Sequence, residues 1–271
     1  MSILGIDYDK CSNCRICLTT CFMFRWDKEQ EKVIFSDPYN LCNLCAHCIA
    51  RCPEDAIQHE GIGEAFEYEG IAKPETIASY DTIYKFLRAN RSVRLYKKKK
   101  VRPEILRKVF QAMENAPTGD NRRTENFSII SNTEQIKKLS DAIQEELLNH
   151  PLTKERYTRV FRILGKVFRS PIFFDAPHVI FIDSPEHHEV EANNIGIIIT
   201  YGRLAAQALG LGTCWNGWSQ IAMNSNPEIK KLANIDGKGI GAFIIGYPAV
   251  KFVRSPPRAP KEIKGLESNK K

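Results

Sequence analysis

Eight of the nine cysteines in this 271-residue chain fall in two runs of identical spacing. Each run reads C-x2-C-x2-C-x3-C; the first contains Cys11, Cys14, Cys17 and Cys21, and the second contains Cys42, Cys45, Cys48 and Cys52. Three closely spaced thiolates can wrap one face of a compact iron–sulfur core, and a distant fourth thiolate can close the other face. Structural zinc is the alternative, but zinc sites usually pair two C-x2-C motifs and do not need three tandem cysteines plus a fourth. The spacing therefore favours iron–sulfur chemistry.

The cysteine-rich segment resembles a bacterial ferredoxin with two 4Fe–4S clusters, since Pro53 follows Cys52 as in that pattern. The resemblance implies that the last cysteine of each run binds the other cluster. One cluster would then be held by Cys11, Cys14, Cys17 and Cys52, and the other by Cys42, Cys45, Cys48 and Cys21. Phe22 stands where a proline would follow Cys21, which leaves the turn there open without removing a ligand. Disulfides are disfavoured, because MSILGIDYDK shows no feature of a secretory signal.

The charge of the chain is +7 and is unevenly distributed. Residues 1–70 carry 12 acidic and 6 basic side chains, whereas residues 71–271 carry 20 acidic and 33 basic ones. Nucleic-acid binding is one interpretation, but no groove-reading motif accompanies the basic residues, and a flavin phosphate or an acidic protein partner explains them equally well. For the run Lys97–Lys100 a solvated surface is an equal alternative. No apolar run approaches the roughly 20 residues of a membrane span. We expect a soluble cytoplasmic protein without nucleic-acid or membrane partners.

Hydrophobic periodicity predicts the elements that position these residues. In the first 72 residues, short strands are predicted at 2–8, 32–36 and 56–59, and a domain boundary falls near 70–78, where glycines and Pro74 interrupt the pattern. Beyond the boundary, helices are predicted at 81–90, 103–116, 133–148, 154–168 and 191–209, and strands at 126–131, 178–182, 239–245 and directly after Gly210. The helix 191–209 is apolar nearly all round, which places it at the centre of the fold.

Four separated motifs then occur in a definite order: Arg91-Ser92-x-Arg94, A-P-T-G-x-N at 116–121, G-L-G-T-C-W at 210–215, and G-Y-P at 246–248 followed by basic residues. Together they resemble the flavin-dependent nitroreductase family over about residues 80–260. The resemblance implies an α+β protein, with a ferredoxin-like domain at 1–72 followed at 79–262 by a nitroreductase-like α+β sandwich that has an antiparallel-rich sheet and a long core helix.

The same resemblance implies a site for flavin mononucleotide (FMN). Its phosphate would be held by Arg91, Ser92, Arg94 and Arg258. The loop residues Pro117, Thr118, Gly119 and Asn121 would reach the flavin of a second subunit, which implies a homodimer. The segment Gly210, Leu211, Gly212 and Thr213 would approach the ring closely. No side chain is required as an acid or base, and Cys214 is expected to be a buried neighbour of the flavin.

These features predict an oxidoreductase that passes electrons from reduced ferredoxin or NAD(P)H through two clusters to FMN, which reduces a nitroaromatic, a quinone or a similar small acceptor. Arg123-Thr124-Glu125 replaces the Gln-Pro-Trp of many family members, so the acceptor and the nicotinamide preference stay open. No G-x-G-x-x-G dinucleotide motif is present. Two alternatives also stay open: a same-fold enzyme of reductive dehalogenation or flavin cleavage, and a redox carrier or sensor without a dedicated substrate.

Overall fold

The computed structural model describes residues 1–151, 154–186 and 188–265. The chain forms two compact units. Unit 1 contains Met1–Ile77 together with the short segment Pro117–Thr124, and unit 2 contains Ala78–Ala116 and the chain from Glu125 onward. The domain limits 1–72 and 79–262 stay a prediction. They assign residues 117–124 to the second domain, whereas in the structure this segment packs with unit 1.

Unit 1 is built from two small antiparallel ladders. Strand β1 (Ser2–Ile6) pairs with β4 (Ile57–Glu60), and β2 (Phe24–Asp27) pairs with β3 (Lys32–Phe35). A 3-10 turn at Ile16–Thr19 and the short helix α1 (His47–Arg51) each follow a cysteine loop. The sequence did not predict β2. The Asp27 carboxylate accepts hydrogen bonds from the backbone N–H groups of Glu29 and Gln30, which closes the turn between β2 and β3.

Buried apolar residues from both ladders form the core of unit 1. Ile3, Phe24, Val33 and Ile57 are each at most 8% exposed, and Ile49 of α1 packs with them. This core is small, because many of the remaining partly buried side chains are cysteines that face inward. Small cores usually need a further cross-link such as a metal or disulfide to reach ordinary stability.

Unit 2 is organised around a four-stranded antiparallel sheet. Its strands are β5 (Asn126–Ile130), β6 (His178–Ser184), β7 (Gly212–Trp215) and β8 (Gly239–Gly246), in the order β5-β6-β8-β7. All three pairings are antiparallel. Each of the four strands overlaps the segment predicted for it from periodicity.

Helices cover both faces of this sheet. Along β6, Val179 and Phe181 pack into one core, and Ile180 and Ile182 pack into the other, as the two-residue period of a strand requires. The helices α4 (Thr133–Asn149), α5 (Lys154–Leu164), α7 (Gly217–Ser225) and α8 (Pro227–Lys231) contribute to the first core. The helices α3 (Pro103–Glu114) and α6 (Glu189–Ala208) contribute to the second. Unit 2 is thus a helix–sheet–helix sandwich. The hydrophobic pattern of the sequence did not predict the short helices α7 and α8.

The long helix α6 is central but not enclosed on all sides. Ile195, Ile198 and Ile199 are at most 3% exposed and pack in the second core. Ile197 and Tyr201, on the opposite face, are 37% and 40% exposed. The prediction that this helix lies at the centre of the fold therefore applies to the face packed in the second core and not to the face of Ile197 and Tyr201.

The first helix of unit 2, α2 (Tyr80–Ala89), carries an exposed apolar stripe. Its side chains Tyr80, Ile83, Tyr84 and Leu87 are between 44% and 76% exposed, and no residue of the helix is buried. Within the part of the chain that the structure describes, no helix is long and apolar enough to cross a membrane.

His178 is a buried polar residue at the start of β6. Its Nε2 accepts the backbone N–H of Val101 at 3.0 Å, and its Nδ1 lies 2.6 Å from the Ser131 hydroxyl. Burial, with a smaller effect of Lys100, lowers the pKa of His178 to about 4. If Nε2 were protonated, its N–H would face the N–H of Val101, and two donors would meet without an acceptor. The ring of His178 is therefore held in the neutral form.

Candidate cofactor sites

Two cavities in unit 1 are each lined by four cysteines. The first is lined by Cys11, Cys14, Cys17 and Cys52, together with apolar side chains such as Ile6 and Val33. The second is lined by Cys21, Cys42, Cys45 and Cys48, together with apolar side chains such as Phe24 and Phe35. Each cavity therefore combines three cysteines of one run with the last cysteine of the other, which is the crossed arrangement implied by the resemblance to ferredoxins.

The two cysteine loops share one backbone conformation. Asn13 and Leu44, each two residues after the first cysteine of its run, have φ angles of 57° and 55°. Arg15 and Ala46, each directly after the second cysteine, have φ angles of 64° and 59°. Alternation of left-handed residues with ordinary ones turns successive backbone N–H groups toward one side and forms an anion-binding concavity, a feature found at many iron–sulfur sites.

Burial affects the thiols unequally. Cys14 and Cys45 are exposed, whereas Cys48 is buried. Burial raises the pKa of the Cys48 thiol to about 11, and burial also raises the pKa of Cys17 and Cys42. A thiolate at these positions therefore needs a bound cation to offset its desolvation.

Four thiols around one apolar cavity, with N–H groups from a curved loop, fit a polynuclear cluster in which each thiolate binds a different iron atom. Among the described residues, no three His, Cys, Asp or Glu side chains form a group that could hold a metal ion.

In unit 2, the arginine–serine motif lies along the edge of the sheet. The backbone N–H of Val93 donates to the carbonyl of Thr213 at 2.8 Å, and Ser92 forms a parallel bridge with the same residue. Two residues later the pairing changes: the N–H of Ala249 donates to Leu95, and the N–H of Lys97 donates to Tyr247, both at 2.9 Å. Three of the four sequence motifs are thus joined by backbone hydrogen bonds.

The two glycines of G-L-G-T-C-W are required for different structural reasons. Gly210 has a φ angle of 73° and ends α6 in the left-handed conformation that favours glycine. Gly212 has ordinary φ, but a Cβ atom there would lie 2.8 to 2.9 Å from three side-chain atoms of Val93. Gly212 is therefore needed for the close approach of the arginine–serine segment to β7. The neighbouring Cys214 is buried, and its S–H donates to the Trp215 carbonyl at 3.4 Å.

A basic cavity lies beside this segment and is lined by Arg88, Arg91, Phe252, Arg254 and Ser255, with Ala89 and Val253. The Arg91 guanidinium lies 5.9 Å from the centre of the Phe252 ring. The Ser255 hydroxyl donates to the Arg88 carbonyl at 3.3 Å, which holds the tail near the end of α2. Guanidinium groups and a hydroxyl form a donor set that fits a phosphate ester.

Two of the arginines predicted for the phosphate, Arg94 and Arg258, do not line this basic cavity. Arg94 is exposed and its guanidinium stands 5.7 Å from the centre of the Phe174 ring, and Arg258 is exposed and does not line the basic cavity. The structure instead groups Arg91 with Arg88 and Arg254. Sequence analysis named neither of these two: Arg88 lies in the last turn of α2, and the proximity of Arg254 depends on the tail pairing with residues 95–97.

Sequence analysis also missed Arg203, a partly buried cation of α6. Its Nη2 donates to the Asn90 side-chain oxygen at 3.0 Å, and its Nε donates to the Thr213 hydroxyl at 3.3 Å. Burial lowers the pKa of Arg203. Both of these partners are neutral and adjoin the arginine–serine segment, since Asn90 directly precedes Arg91 and Thr213 is bridged to Ser92. The signal available in the sequence was that Arg203 is the one basic residue of α6.

The asparagine loop belongs to unit 1 in the structure. The Thr118 hydroxyl accepts the backbone N–H of Arg123 at 3.1 Å, and a 3-10 turn spans Gly119–Asn121 directly after Thr118, with Pro117 one residue before. The side-chain amide of Asn121 donates to the carbonyls of Asn43 and Leu44. Of the residues that replace the usual Gln-Pro-Trp, Glu125 accepts a hydrogen bond from Asn194 of α6 at 2.8 Å.

The sheet with helices on both faces defines a mixed helix-and-sheet fold of a known type. A nitroreductase with bound FMN from Bacteroides fragilis shares it with a TM-score of 0.59 at 20% identity, over 68% of this chain and 98% of that chain. A nitroreductase with bound FMN from Desulfitobacterium hafniense has a TM-score of 0.56 at 22% identity, over 68% of this chain and 97% of that chain. A BluB-like flavoprotein from Clostridium difficile has a TM-score of 0.52 at 19% identity, over 66% of this chain and 94% of that chain.

The model of the nitroreductase family matches residues 87–247, which is more than half of the chain. The protein therefore belongs to the nitroreductase family. The matched range begins after the eight-cysteine segment. No curated protein matches the chain.

Proposed function

We propose that this protein is an FMN-dependent oxidoreductase with a built-in ferredoxin domain. In this proposal, electrons from reduced ferredoxin pass through two 4Fe–4S clusters to FMN, which reduces a small organic acceptor such as a nitroaromatic or a quinone. The observation that carries the proposal is the pair of four-cysteine cavities, each lined by a crossed set of ligands, in a chain that belongs to the nitroreductase family. We also propose a cytoplasmic location.

FMN, when bound, supplies the redox chemistry, so the residues of the chain bind and orient it. Arg91, with Arg88, Arg254 and Ser255, provides the donors for the phosphate. The backbone of Gly210–Thr213, placed against Val93, provides the surface that the ring approaches. Arg203 adds a partly buried positive charge behind that surface, which favours an anionic form of a bound group. No side chain acts as a general acid or base in this proposal.

In this proposal, cysteine thiolates would hold the clusters, and the loops around them would set their environment. The loops with alternating left-handed residues would present backbone N–H groups to an anionic cluster and so favour its reduced, more negative state. The apolar walls of both cavities limit the access of water. We propose Cys11, Cys14, Cys17 and Cys52 for one cluster and Cys21, Cys42, Cys45 and Cys48 for the other.

A homodimer is part of the proposal. The exposed stripe of α2 and the exposed residues Ile197 and Tyr201 of α6 are apolar surfaces in unit 2. Contiguous apolar surface of this kind favours burial against another protein surface. A second copy of the chain is the partner that the resemblance to the nitroreductase family implies.

The test uses a Cys14→Ser, Cys45→Ser double variant, purified without oxygen and shown to retain FMN and the dimer. Both cysteines are exposed ligands, so their replacement disturbs the core of unit 1 least. Turnover of a panel of nitro, quinone and halogenated acceptors is measured with reduced ferredoxin and with chemically reduced flavin.

We expect loss of most ferredoxin-driven turnover and retention of acceptor reduction by the chemically reduced flavin. Unchanged ferredoxin-driven rates, or fast NADH-driven rates in the intact protein, would show that the clusters are not the main entrance for electrons. The panel also separates nitro and quinone reduction from dehalogenation, and no turnover of any acceptor would favour a carrier or sensor.

A further inference from the structure

The loop Pro117–Thr124 is part of the chain between α3 and β5, yet it packs in unit 1. Its main anchor is Asn121, whose side-chain nitrogen donates to the Asn43 carbonyl at 3.0 Å and to the Leu44 carbonyl at 2.9 Å. Asn43 and Leu44 are the two residues between Cys42 and Cys45. Both N–H donors of one amide are therefore committed to the loop that carries two ligands of the second cysteine cavity.

The contact is part of a network that reaches a ligand's backbone. The Asn43 side chain donates to the Asp120 carboxylate at 3.2 Å, and its oxygen accepts the backbone N–H of Cys45 at 3.3 Å. Asn121 thus fixes the main chain of the cysteine loop, while Asp120 fixes the side chain that orients Cys45.

The first cysteine loop has a different support. At the position equivalent to Asn43, the first run has Ser12, and its neighbour Asn13 donates to the Glu31 carbonyl at 3.2 Å, within the ferredoxin-like segment itself. The two loops share their backbone conformation, so the anchor from residues 120–121 distinguishes the second loop from the first. This asymmetry predicts that a change at residue 121 acts on one cluster and not on the other.

The hydrogen bonds of Asn121 also join two segments whose backbone is strained. Leu44 has a φ angle of 55°, and Asp120 and Asn121 have φ angles of 54° and 51°, a conformation that non-glycine residues adopt at a cost. Hydrogen bonds from Asn121 to the carbonyls on both sides of the Leu44 Cα help to maintain the conformation in which the loop N–H groups turn toward the cavity. Loss of these bonds frees the loop to relax.

We propose that Asn121 is a positioning residue for the second iron–sulfur cluster, the one assigned to Cys21, Cys42, Cys45 and Cys48. It acts through the Asn43 and Leu44 carbonyls, and it sets the orientation and hydrogen bonding of the loop around that cluster. This inference rests on the proposed iron–sulfur content. It differs from the role that family resemblance implies for Asn121, since the two N–H donors of the amide are used within unit 1.

The test compares Asn121→Leu, which removes both donors at similar volume, with Asn121→Asp, which also adds a negative charge. Asn115→Leu and Asn115→Asp are the matched controls, because the exposed Asn115 amide also donates to a backbone carbonyl, that of Gln111, at 2.7 Å. Single Cys14→Ser and Cys45→Ser variants assign the paramagnetic signals of the reduced protein to the first and second cluster. Full-length protein purified without oxygen is used throughout.

Two readouts are taken: potentiometric titration followed by electron paramagnetic resonance, and hydrogen exchange of the peptide that covers residues 41–46. We expect both Asn121 variants to shift the signal and lower the midpoint potential of the second cluster only, with the larger shift in Asn121→Asp. We expect amide exchange in the peptide to rise about tenfold, since two ordinary hydrogen bonds are lost. The Asn115 variants should match the wild type.

Equal shifts of both clusters, or no shift of either in a protein that contains them, would overturn the inference and leave the proposed function standing. Unchanged exchange of residues 41–46 would also overturn it. Wild-type protein that contains no iron–sulfur cluster would overturn the proposed function and this inference together.

Discussion

Replacement of Gly212 by alanine tests how the arginine–serine segment is seated. The added Cβ would lie 2.8 to 2.9 Å from Cβ, Cγ1 and Cγ2 of Val93, closer than carbon atoms tolerate. Val93 is 6% exposed, and its N–H is bonded to Thr213, so it cannot turn away without moving the backbone. Insertion of a methyl group into such packing costs roughly 1–3 kcal/mol.

Displacement of this segment moves Arg91 and Ser92, so part of that cost should appear as weaker FMN binding. We expect Gly212→Ala to raise the Kd for FMN severalfold and at most about 150-fold, since 1.4 kcal/mol corresponds to a factor of ten and the whole cost is at most about 3 kcal/mol. Val93→Ala removes two of the three clashing atoms, Cγ1 and Cγ2, and keeps the Cβ at 2.8 Å, so it should relieve part of the strain. The double variant should therefore bind FMN more tightly than Gly212→Ala alone, with an interaction free energy of at least about 1 kcal/mol.

The assay is fluorescence titration of FMN with the wild type, both single variants and the double variant, together with urea unfolding of each apoprotein. Gly210→Ala is the control: the space around its Cβ is open, and its cost of about 1 kcal/mol arises from the φ angle of 73°, which Val93→Ala cannot relieve. Wild-type affinity in Gly212→Ala, or strictly additive effects of Gly212→Ala and Val93→Ala, would refute the packing argument.

Three other changes have defined outcomes. The depressed pKa of His178 means that the unfolded chain takes up a proton near pH 6.5 while the folded chain does not until about pH 4, so stability falls by up to about 3 kcal/mol as the pH falls through this window. Urea unfolding from pH 7 to pH 4 should show this loss in the wild type and a smaller loss in His178→Gln; equal slopes would contradict the assignment. Cys21→Ser should destroy mainly the cluster of the second run, so iron analysis and paramagnetic resonance should show the cluster of Cys11, Cys14 and Cys17 intact; loss of that cluster instead would exclude the crossed ligand sets. Leu87→Glu places a charge in the apolar stripe of α2 and should give monomers by light scattering, whereas Lys85→Glu on the opposite face should not; a dimeric Leu87→Glu variant would remove α2 from the interface.

Periodicity predicted the sheet of unit 2 well, for a physical reason. Strands β6 and β8 are buried on both faces and consist of continuous apolar runs, such as HVIFI at 178–182, which differ clearly from their surroundings. The short elements were missed because their signals are weak. Helix α7 begins with glycine and depends on Asn216, whose side chain accepts the N–H of Ser219, a tertiary arrangement that no periodic pattern reveals.

The residues of the candidate sites also divide into those that the sequence predicted and those that it did not. The crossed cysteine sets followed from the resemblance to ferredoxins, and the structure lines each of its two cavities with one of these sets. The arginine set was only partly predictable, since Arg254 meets Arg88 and Arg91 through contacts between segments more than 150 residues apart. The anchor from Asn121 to the second cysteine loop was not predictable, because residues 117–124 were assigned to the flavin-binding unit from their motif.

The most direct test of the account is the cofactor content of protein purified without oxygen from cells supplied with ample iron. Eight cysteines in two four-ligand sets and one flavin site predict about eight iron atoms, eight labile sulfides and one FMN per chain. The visible spectrum should show both iron–sulfur and flavin absorption. Zinc in place of iron, or protein that neither contains nor binds FMN, would contradict the central claim.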